Sequence, residues 1–462
     1  MRNNPERSIE HMVPEVKEVG DVTTKTLQAR ALSTILALVV TGCGGPGGEP
    51  ASSPASAPPP ASSPATAQSP SAVPEPSGEP IVGGSTLSLT GAFAATGAIH
   101  KIVGEQFVER LNTRGGLLGR PVEWQLLDDE SDATKVTQLY ERLITQEGVD
   151  LIIGPYATPN IIPAVAVAER QGYTIVQHTA VLAPFLGYDC QFPAWSIGFD
   201  PQNYVPNLLF DALDTLPDPP RRVAILTNQN GSTAFVSYGQ ADVEDGGAVA
   251  VARERGFDVV LEVQYPPTTT DWAPIAAQLR DANADLVLNS GLGLDPVNII
   301  QAMEQLNYRP PLMFSLFPAP GPPLGLGDAA EGLLSVSLFE ANEPLVAALG
   351  PEAREIVTEF ERRAQAADLP YTAFETQATA SWNAWEILTA GVQAAGSLDQ
   401  QAICDALQTN GATTTFSGEL AFDPELNNFW PSNQGIKQIQ DGTWVMVWPK
   451  ERAAGELQAP PR

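Results

Sequence analysis

The chain has 462 residues, with 25 Lys and Arg against 54 Asp and Glu and a formal net charge of −29. So acidic a balance excludes a nucleic-acid partner, which needs a basic face to neutralise phosphates. Three Cys and three His are too few and too scattered for a metal cluster, while the length allows two domains of ordinary size.

Residues 1–42 read as a secretory leader. Lys25 and Arg30 precede an apolar run, Leu32-Ser33-Thr34-Ile35-Leu36-Ala37-Leu38-Val39-Val40, which ends in small residues. The run is about ten residues, too short to span a bilayer as a helix. The segment before it is long and carries several Glu residues, so Met12 or a later start is the expected initiation site. Thr41-Gly42-Cys43 resembles the lipobox of bacterial lipoproteins. That resemblance implies acylation of Cys43 and a mature chain that begins there. Residues 43–80 are almost entirely Gly, Pro, Ala and Ser. With so little apolar surface to bury, they are expected to form a disordered, semi-rigid linker holding a folded module away from a membrane.

From Ile81 the composition is globular, and strand and helix patterns alternate. Ile81-Val82 leads into a short strand at Leu87-Ser88-Leu89. Gly97 to Leu111 carries apolar residues at helical spacing and closes in Asn112-Thr113-Arg114-Gly115-Gly116. Val122 to Leu127 alternates as a strand, Ala133 to Glu147 is helical, and Val149 to Gly154 is a buried parallel strand. Ile161 to Gln171 is a helix and Tyr173 to Val176 a strand. The rhythm restarts with a strand at Arg222 to Leu226 and a helix at Tyr238 to Arg255. A strand at Asp258 to Val263, a helix at Trp272 to Ala282 and a strand at Ala284 to Asn289 follow. A helix at Pro296 to Leu306 and a strand at Leu312 to Phe314 complete the series. Gly435–Gln440 and Thr443–Val447 form a hairpin about a tight Asp441-Gly442 turn. Two βαβ series predict an α/β fold of two doubly wound lobes with parallel sheets. Ligands in that architecture bind beyond the carboxyl ends of the strands.

No nucleotide-binding glycine loop, P-loop or nucleophile elbow is present. His11 falls in the leader, which leaves His100 and His178 without a third partner. His178, next to Thr179, reads as a loop residue rather than a general base. The chain is therefore expected not to be an enzyme and to need no cofactor or metal. Cys190 and Cys404 are a candidate disulfide in an oxidising compartment, although spacing alone cannot show that they come within reach.

The order of the motifs is distinctive. Gly91-Ala92-Phe93-Ala94-Ala95-Thr96-Gly97 follows the first strand. Leu111 to Val122 carries Asn112, Gly115-Gly116-Leu117 and Gly119-Arg120-Pro121. Then come Asp128-Asp129, Ile153-Gly154-Pro155-Tyr156-Ala157-Thr158, and Asp271-Trp272-Ala273-Pro274-Ile275. Over residues 81–450 this resembles the branched-chain amino acid binding proteins, extracytoplasmic receptors of ABC importers with the type I periplasmic binding fold. The resemblance implies two hinged lobes joined by three crossings. Residues 81–200 and 340–418 would form lobe one, 201–339 and 419–450 lobe two, and 451–462 a tail. It also implies a monomer, lipid-anchored outside the cytoplasm, that delivers a small ligand to a membrane permease. A sensor of the same fold without transport, and a secreted enzyme, are the alternatives.

By the same resemblance, Thr158 and the Thr179-Ala180 pair would hold a ligand carboxylate, although the Thr158 hydroxyl would equally serve as a helix N-cap. Asn289 and Ser290 match a further ligand loop, or form a plain strand-to-helix turn. Tyr238 aligns with an aromatic that covers the ligand, and Phe93, Tyr156 and Phe374 either line the cleft or pack the core. Where the family places an acid for the ligand's ammonium, this chain reads Ser315-Leu316-Phe317-Pro318. A buried ammonium without a counter-charge is costly. Either another acid serves or the ligand has no α-ammonium.

Overall fold

A computed structural model describes residues 74–179, 186–240, 246–426 and 428–459. The leader, Cys43, most of the linker and Ala180 lie outside the described residues. The chain enters at β1 (Ile81–Leu87), α1 (Ala94–Thr113), β2 (Val122–Asp128) and α2 (Ala133–Thr145). It continues through β3 (Leu151–Ile153), α3 (Thr158–Gln171), β4 (Ile175–Gln177) and β5 (Gln191–Pro193). These strands make an all-parallel sheet in the order β2-β1-β3-β4-β5, with Gly83 opposite both Trp124 and Leu151. The first strand spans Ile81–Leu87 rather than Leu87 to Leu89. Asp129 draws off the Ser88 hydroxyl (2.6 Å) and Asp128 the Leu89 N–H (2.9 Å), so both residues leave the ladder. Helix α1 lies so close to the strand end that a Cβ on Gly97 would sit 2.0 Å from the Ser88 carbonyl oxygen.

The second series runs α4 (Tyr204–Leu213), β6 (Arg222–Asn228), α5 (Gly231–Tyr238), α6 (Gly247–Glu254) and β7 (Asp258–Tyr265). Then come α7 (Ala273–Ala282), β8 (Leu286–Gly293), α8 (Asp295–Gln305), β9 (Leu312–Pro318) and β10 (Leu334–Ser337). Of the helix expected over Tyr238 to Arg255, the described residues form only α6, because α5 already ends at Tyr238 and a glycine corner follows it. Gly239 and Gly247 have φ of +73° and +82°. A Cβ on Gly247 would meet the Gly239 nitrogen at 2.5 Å, so only glycine fits this corner.

The chain then returns to the first sheet with α9 (Glu343–Leu349), α10 (Pro351–Ala366), α11 (Thr376–Ala395) and α12 (Gln400–Asn410). The small ribbon β11 (Ala412–Thr414) and β12 (Gly418–Leu420) follows. Helix α11 packs its Trp382 and Trp385 against Phe107 of α1 and Trp124 of β2. The α12 residue Cys404 is disulfide-bonded to Cys190 beside β5, with Cα atoms 5.3 Å apart. The hairpin β13 (Gly435–Gln440) and β14 (Thr443–Trp448) then pairs antiparallel with β10. It completes a seven-stranded sheet, β14-β13-β10-β9-β8-β6-β7. Its turn residues Asp441 and Gly442 both have positive φ, as a two-residue hairpin turn requires. Each sheet with its helices is one lobe, and the chain passes between lobes after β5, β10 and β12. Among the described residues no helix is long and apolar enough to cross a membrane, and no cluster of His, Cys, Asp and Glu forms a metal site.

Candidate functional site

The carboxyl ends of the two sheets approach one another. Trp195, just past β5, meets Phe317 of β9 edge-on at 5.3 Å. A Cβ on Gly321 would fall 2.9 Å from Cβ of Tyr371, so the segment after β9 also touches the one before α11.

In lobe one the strand ends are pinned by Asp129, which is fully buried. Its carboxylate accepts from Thr86 Oγ1 (2.9 Å), Ser88 Oγ (2.6 Å), Asn160 Nδ2 (3.2 Å) and the Ser131 N–H (3.0 Å). These bonds satisfy the charge and lock β1, the β2–α2 turn and α3 together. Thr158 is not an N-cap. The cap position belongs to Ala157, whose φ of +71° is left-handed, and α3 starts at Thr158 with Pro159 next. Pro159 has no N–H, and the Asn160 N–H bonds to the Ala157 carbonyl at 3.0 Å. The hydroxyl and N–H of Thr158 are what this helix end has to offer, and Thr158 is only 8% exposed.

Beside that loop four rings run in series. Phe93 meets Tyr156 edge-on at 5.8 Å, Tyr156 meets His100 at 5.2 Å, and His100 meets His178 at 4.4 Å, tilted by 35°. His100 Nε2 lies 3.3 Å from Gln377 Oε1, and its Nδ1 has no partner. His178 is 1% exposed, and neither ring nitrogen has a hydrogen bond of full geometry. The Pro155 carbonyl offers it only a weak contact. Burial drives the His100 pKa down to about 3, and burial followed by the neighbouring His100 drives that of His178 well below the ordinary value. Both imidazoles are neutral near pH 7. Burial pushes the Tyr156 hydroxyl up to about 12.

In lobe two the strands run further than the sequence suggested, past Asn289 and past Phe314. Asn289 and Ser290 belong to β8 and Ser315 to β9, because pairing with β9 carries the strand through Leu292 and Gly293. All three are fully buried. Asn289 Nδ2, Ser290 Oγ and Ser315 Oγ have no partner. Asn289 Oδ1 accepts from the Tyr265 hydroxyl at 2.9 Å. Asp295 is the acid of this cluster. Its Oδ2 lies within bonding distance of Asn228 Nδ2 (2.8 Å), the Tyr265 hydroxyl (2.9 Å) and the Leu292 N–H (3.0 Å). Burial, with the Asp295 charge behind it, raises the Tyr265 pKa strongly and keeps the phenol protonated.

A buried charge group stands where the chain passes between lobes. Lys437 Nζ of β13 bonds Glu340 Oε1 at 2.7 Å, with side chains 4% and 2% exposed. The ammonium also lies 4.6 Å over the Trp444 ring. Glu340 accepts from Ser337 Oγ (2.9 Å), which in turn bonds Thr376 Oγ1 (2.8 Å). Glu375 caps α11 through the Gln377 N–H (2.8 Å), and burial, opposed by Lys437, pushes its carboxyl up to about 7.

Of the residues singled out in the sequence, Phe93, Tyr156, Thr158 and Thr179 lie at the strand ends of lobe one, and Asn289 and Ser290 at those of lobe two. Tyr238 sits at the far end of the eight-residue α5, about 11 Å along the helix from its strand-end start. It packs against the core beside the glycine corner, which places it away from the strand ends. Phe374 is core, ringed by Phe339, Phe360 and Phe416. Sequence reasoning missed His100, Trp195 and Ser315, and it set His178 aside. The position of His178 directly after a buried strand was the available signal.

A model of the periplasmic binding protein family matches residues 81–435. The chain belongs to that family. Its relatives include Leu/Ile/Val-binding protein homolog 8 of Brucella abortus, 26% identical over 237 residues. That match covers 49% of this chain and 55% of the relative, so the chain spans about half the length of this first curated relative. Homolog 7 of the same organism is 23% identical over 400 residues, 82% of this chain and 93% of the relative. Among solved structures, a solute binding protein of an ABC transporter from R. palustris in complex with benzoate superposes with a TM-score of 0.64. It is 18% identical over 80% of this chain and 96% of its own. The branched-chain amino acid transporter substrate binding protein LivJ from Streptococcus pneumoniae, in complex with isoleucine, gives a TM-score of 0.61 at 16% identity over 79% and 98% of the two chains. This periplasmic binding protein therefore has the two-lobed α/β fold expected from its sequence, and its family places it outside the cytoplasm.

Proposed function

We propose that this periplasmic binding protein is a lipid-anchored, monomeric receptor that captures a small carboxylate between its lobes and presents it to an ABC permease. The observation that carries the ligand class is the character of the buried polar groups at the strand ends. Asn289 Nδ2, Ser290 Oγ and Ser315 Oγ in lobe two, and His178 in lobe one, are buried without partners. All four can donate, Gln177 Oε1 and Asn228 Oδ1 at the ends of β4 and β6 are unpartnered acceptors beside them, and Asp129 is already saturated. Four unpartnered donor groups, with no carboxylate oxygen among the buried unpartnered atoms of the described residues, match an anionic or carbonyl-rich ligand, because leaving such groups unpaired costs about 1–3 kcal/mol each. Where the family resemblance puts an acid for an ammonium, this chain has Ser315 to Pro318, and Phe317 there packs on Trp195. Thr158, Thr179 and the Tyr156 face complete the set in lobe one. The net charge of −29 opposes an approaching anion only over the Debye length, about 8 Å at physiological salt. Short-range donors therefore decide capture.

One observation favours an amino-acid ligand instead. Asp295 is half-buried and only its Oδ2 is engaged, which leaves Oδ1 for an ammonium. A thermal-shift screen separates the two readings. A ligand at 100 times its Kd adds about 2.7 kcal/mol, which for a module of this size raises the Tm by roughly 3 °C. The proposal expects benzoate or 2-oxoisocaproate to give that shift and leucine not to. Uptake of the hit into proteoliposomes bearing the cognate permease, only when this protein is added, tests delivery against sensing. A screen without a shift from any carboxylate or amino acid refutes ligand capture.

A further inference from the structure

We infer that His178, backed by His100, is a carboxylate subsite that takes up one proton from solvent as an anionic ligand binds. This rests on the solute-binding reading above. His178 ends β4 directly and stands beside Pro155, in the loop that leads into the helix end at Thr158. A neutral imidazole carries one donor and one acceptor. Burying both without a full bond is unfavourable unless a ligand supplies what is missing. His178 is in that state, and the adjacent His100 holds an unpartnered Nδ1.

The neighbours bear on what arrives. On α1 stands His100, stacked at 4.4 Å. On the loop before α3 stands Tyr156, 5.2 Å from His100 and kept protonated. At the start of α11, Gln377 holds His100, and the Glu375 carboxyl acts on Tyr156. Lys437 and Glu340 are paired with one another. Desolvation keeps both imidazoles neutral in the free protein. A carboxylate set against His178 reverses that preference, because an opposite charge at contact distance favours the protonated ring. One proton then moves from water or buffer to His178, and no other bond forms or breaks. The flat faces of Phe93 and Tyr156, next in the ring series, suit a planar carboxylate. Binding must then tighten as the pH falls, by up to tenfold per pH unit.

The test uses the full chain and three probes: sodium benzoate, 2-oxoisocaproate and leucine. Calorimetry at pH 7 in phosphate and in Tris reads proton uptake from the difference in binding enthalpy. Nitrogen NMR of histidine-labelled protein reads the imidazolium directly, with the His178 signal assigned by its loss in His178→Gln. The expected result is uptake of close to one proton per carboxylate bound, affinity rising from pH 8 to pH 6, and loss of both in His178→Gln at unchanged thermal stability. The buffer measurement on the native protein stands even if that variant fails to fold. A carboxylate that binds without proton uptake or pH slope overturns the inference. So does leucine binding with lobe closure in X-ray scattering while neither carboxylate binds, an outcome that leaves solute capture intact. Absence of binding and closure with all three probes overturns both.

Discussion

Lys437→Met isolates the buried charge group between the lobes. Methionine keeps most of the aliphatic stem and removes the ammonium that bonds Glu340 at 2.7 Å. Two carboxyls, Glu340 and Glu375, are then left in the interior with no cation. At an effective dielectric of 20, the attraction lost at that separation is about 6 kcal/mol. The variant escapes part of this by protonating a carboxyl. At pH 7.5 that costs roughly 1.4 kcal/mol per unit above a normal glutamate pKa, or about 4 kcal/mol. At pH 5 the same protonation costs about 1 kcal/mol. The cheaper route sets the destabilisation: about 4 kcal/mol at pH 7.5, within the range for breaking a buried pair, and about 1 kcal/mol at pH 5. Urea unfolding of native and variant protein at both values measures the difference. A variant within 1 kcal/mol of the native protein at pH 7.5, or one equally destabilised at pH 5, would refute the view that Lys437 neutralises buried ionised carboxylates.

Glu375 has a folded pKa raised to about 7, so its contribution is fully present below about pH 4.5 and lost as the pH rises through 7; Glu375→Gln should flatten that decline, which urea titrations between pH 4.5 and 8 follow. Replacing both Cys190 and Cys404 with Ser opens a loop closed over 214 residues, and chain entropy sets the loss near 5 kcal/mol, visible as a lower Tm than that of the oxidised native protein. Asp295→Asn should change benzoate affinity by less than threefold, whereas a tenfold or greater loss of leucine binding would favour the amino-acid reading; calorimetry measures both. Thr158→Ala should weaken the best ligand without altering the melting curve, and unchanged affinity would remove Thr158 from the site.

The alternation of strands and helices was legible because each buried parallel strand, such as Leu151–Ile153, is a short apolar run ending in glycine or a polar residue. The terminal hairpin was legible from Asp441-Gly442, whose turn chemistry is local. The glycine corner was not legible as a break, although Gly239 and Gly246-Gly247 stand there in the sequence, because the close approach of Gly239 to Gly247 that fixes it is a tertiary contact. The strand length beyond Asn289 was hidden too, because pairing with β6 at Ser290 and with β9 at Leu292 and Gly293, rather than local propensity, extends β8. The site depends on contacts far apart in sequence. His100 of α1 and His178 just past β4 meet only in the folded lobe, and Trp195 meets Phe317 only once both sheets exist. No spacing rule reports such contacts.

The hairpin at Gly435–Trp448 has a consequence for anyone who would cut this molecule apart. Residues 204–337 look like a self-contained insert, but the last strand of that stretch, Leu334–Ser337, borrows its outer neighbour from the far end of the chain. An excised fragment would present four residues of open ladder to solvent. It would be expected to self-associate along that rim or to recruit a synthetic 435–448 peptide. Such split complementation would turn a structural dependence into a reporter.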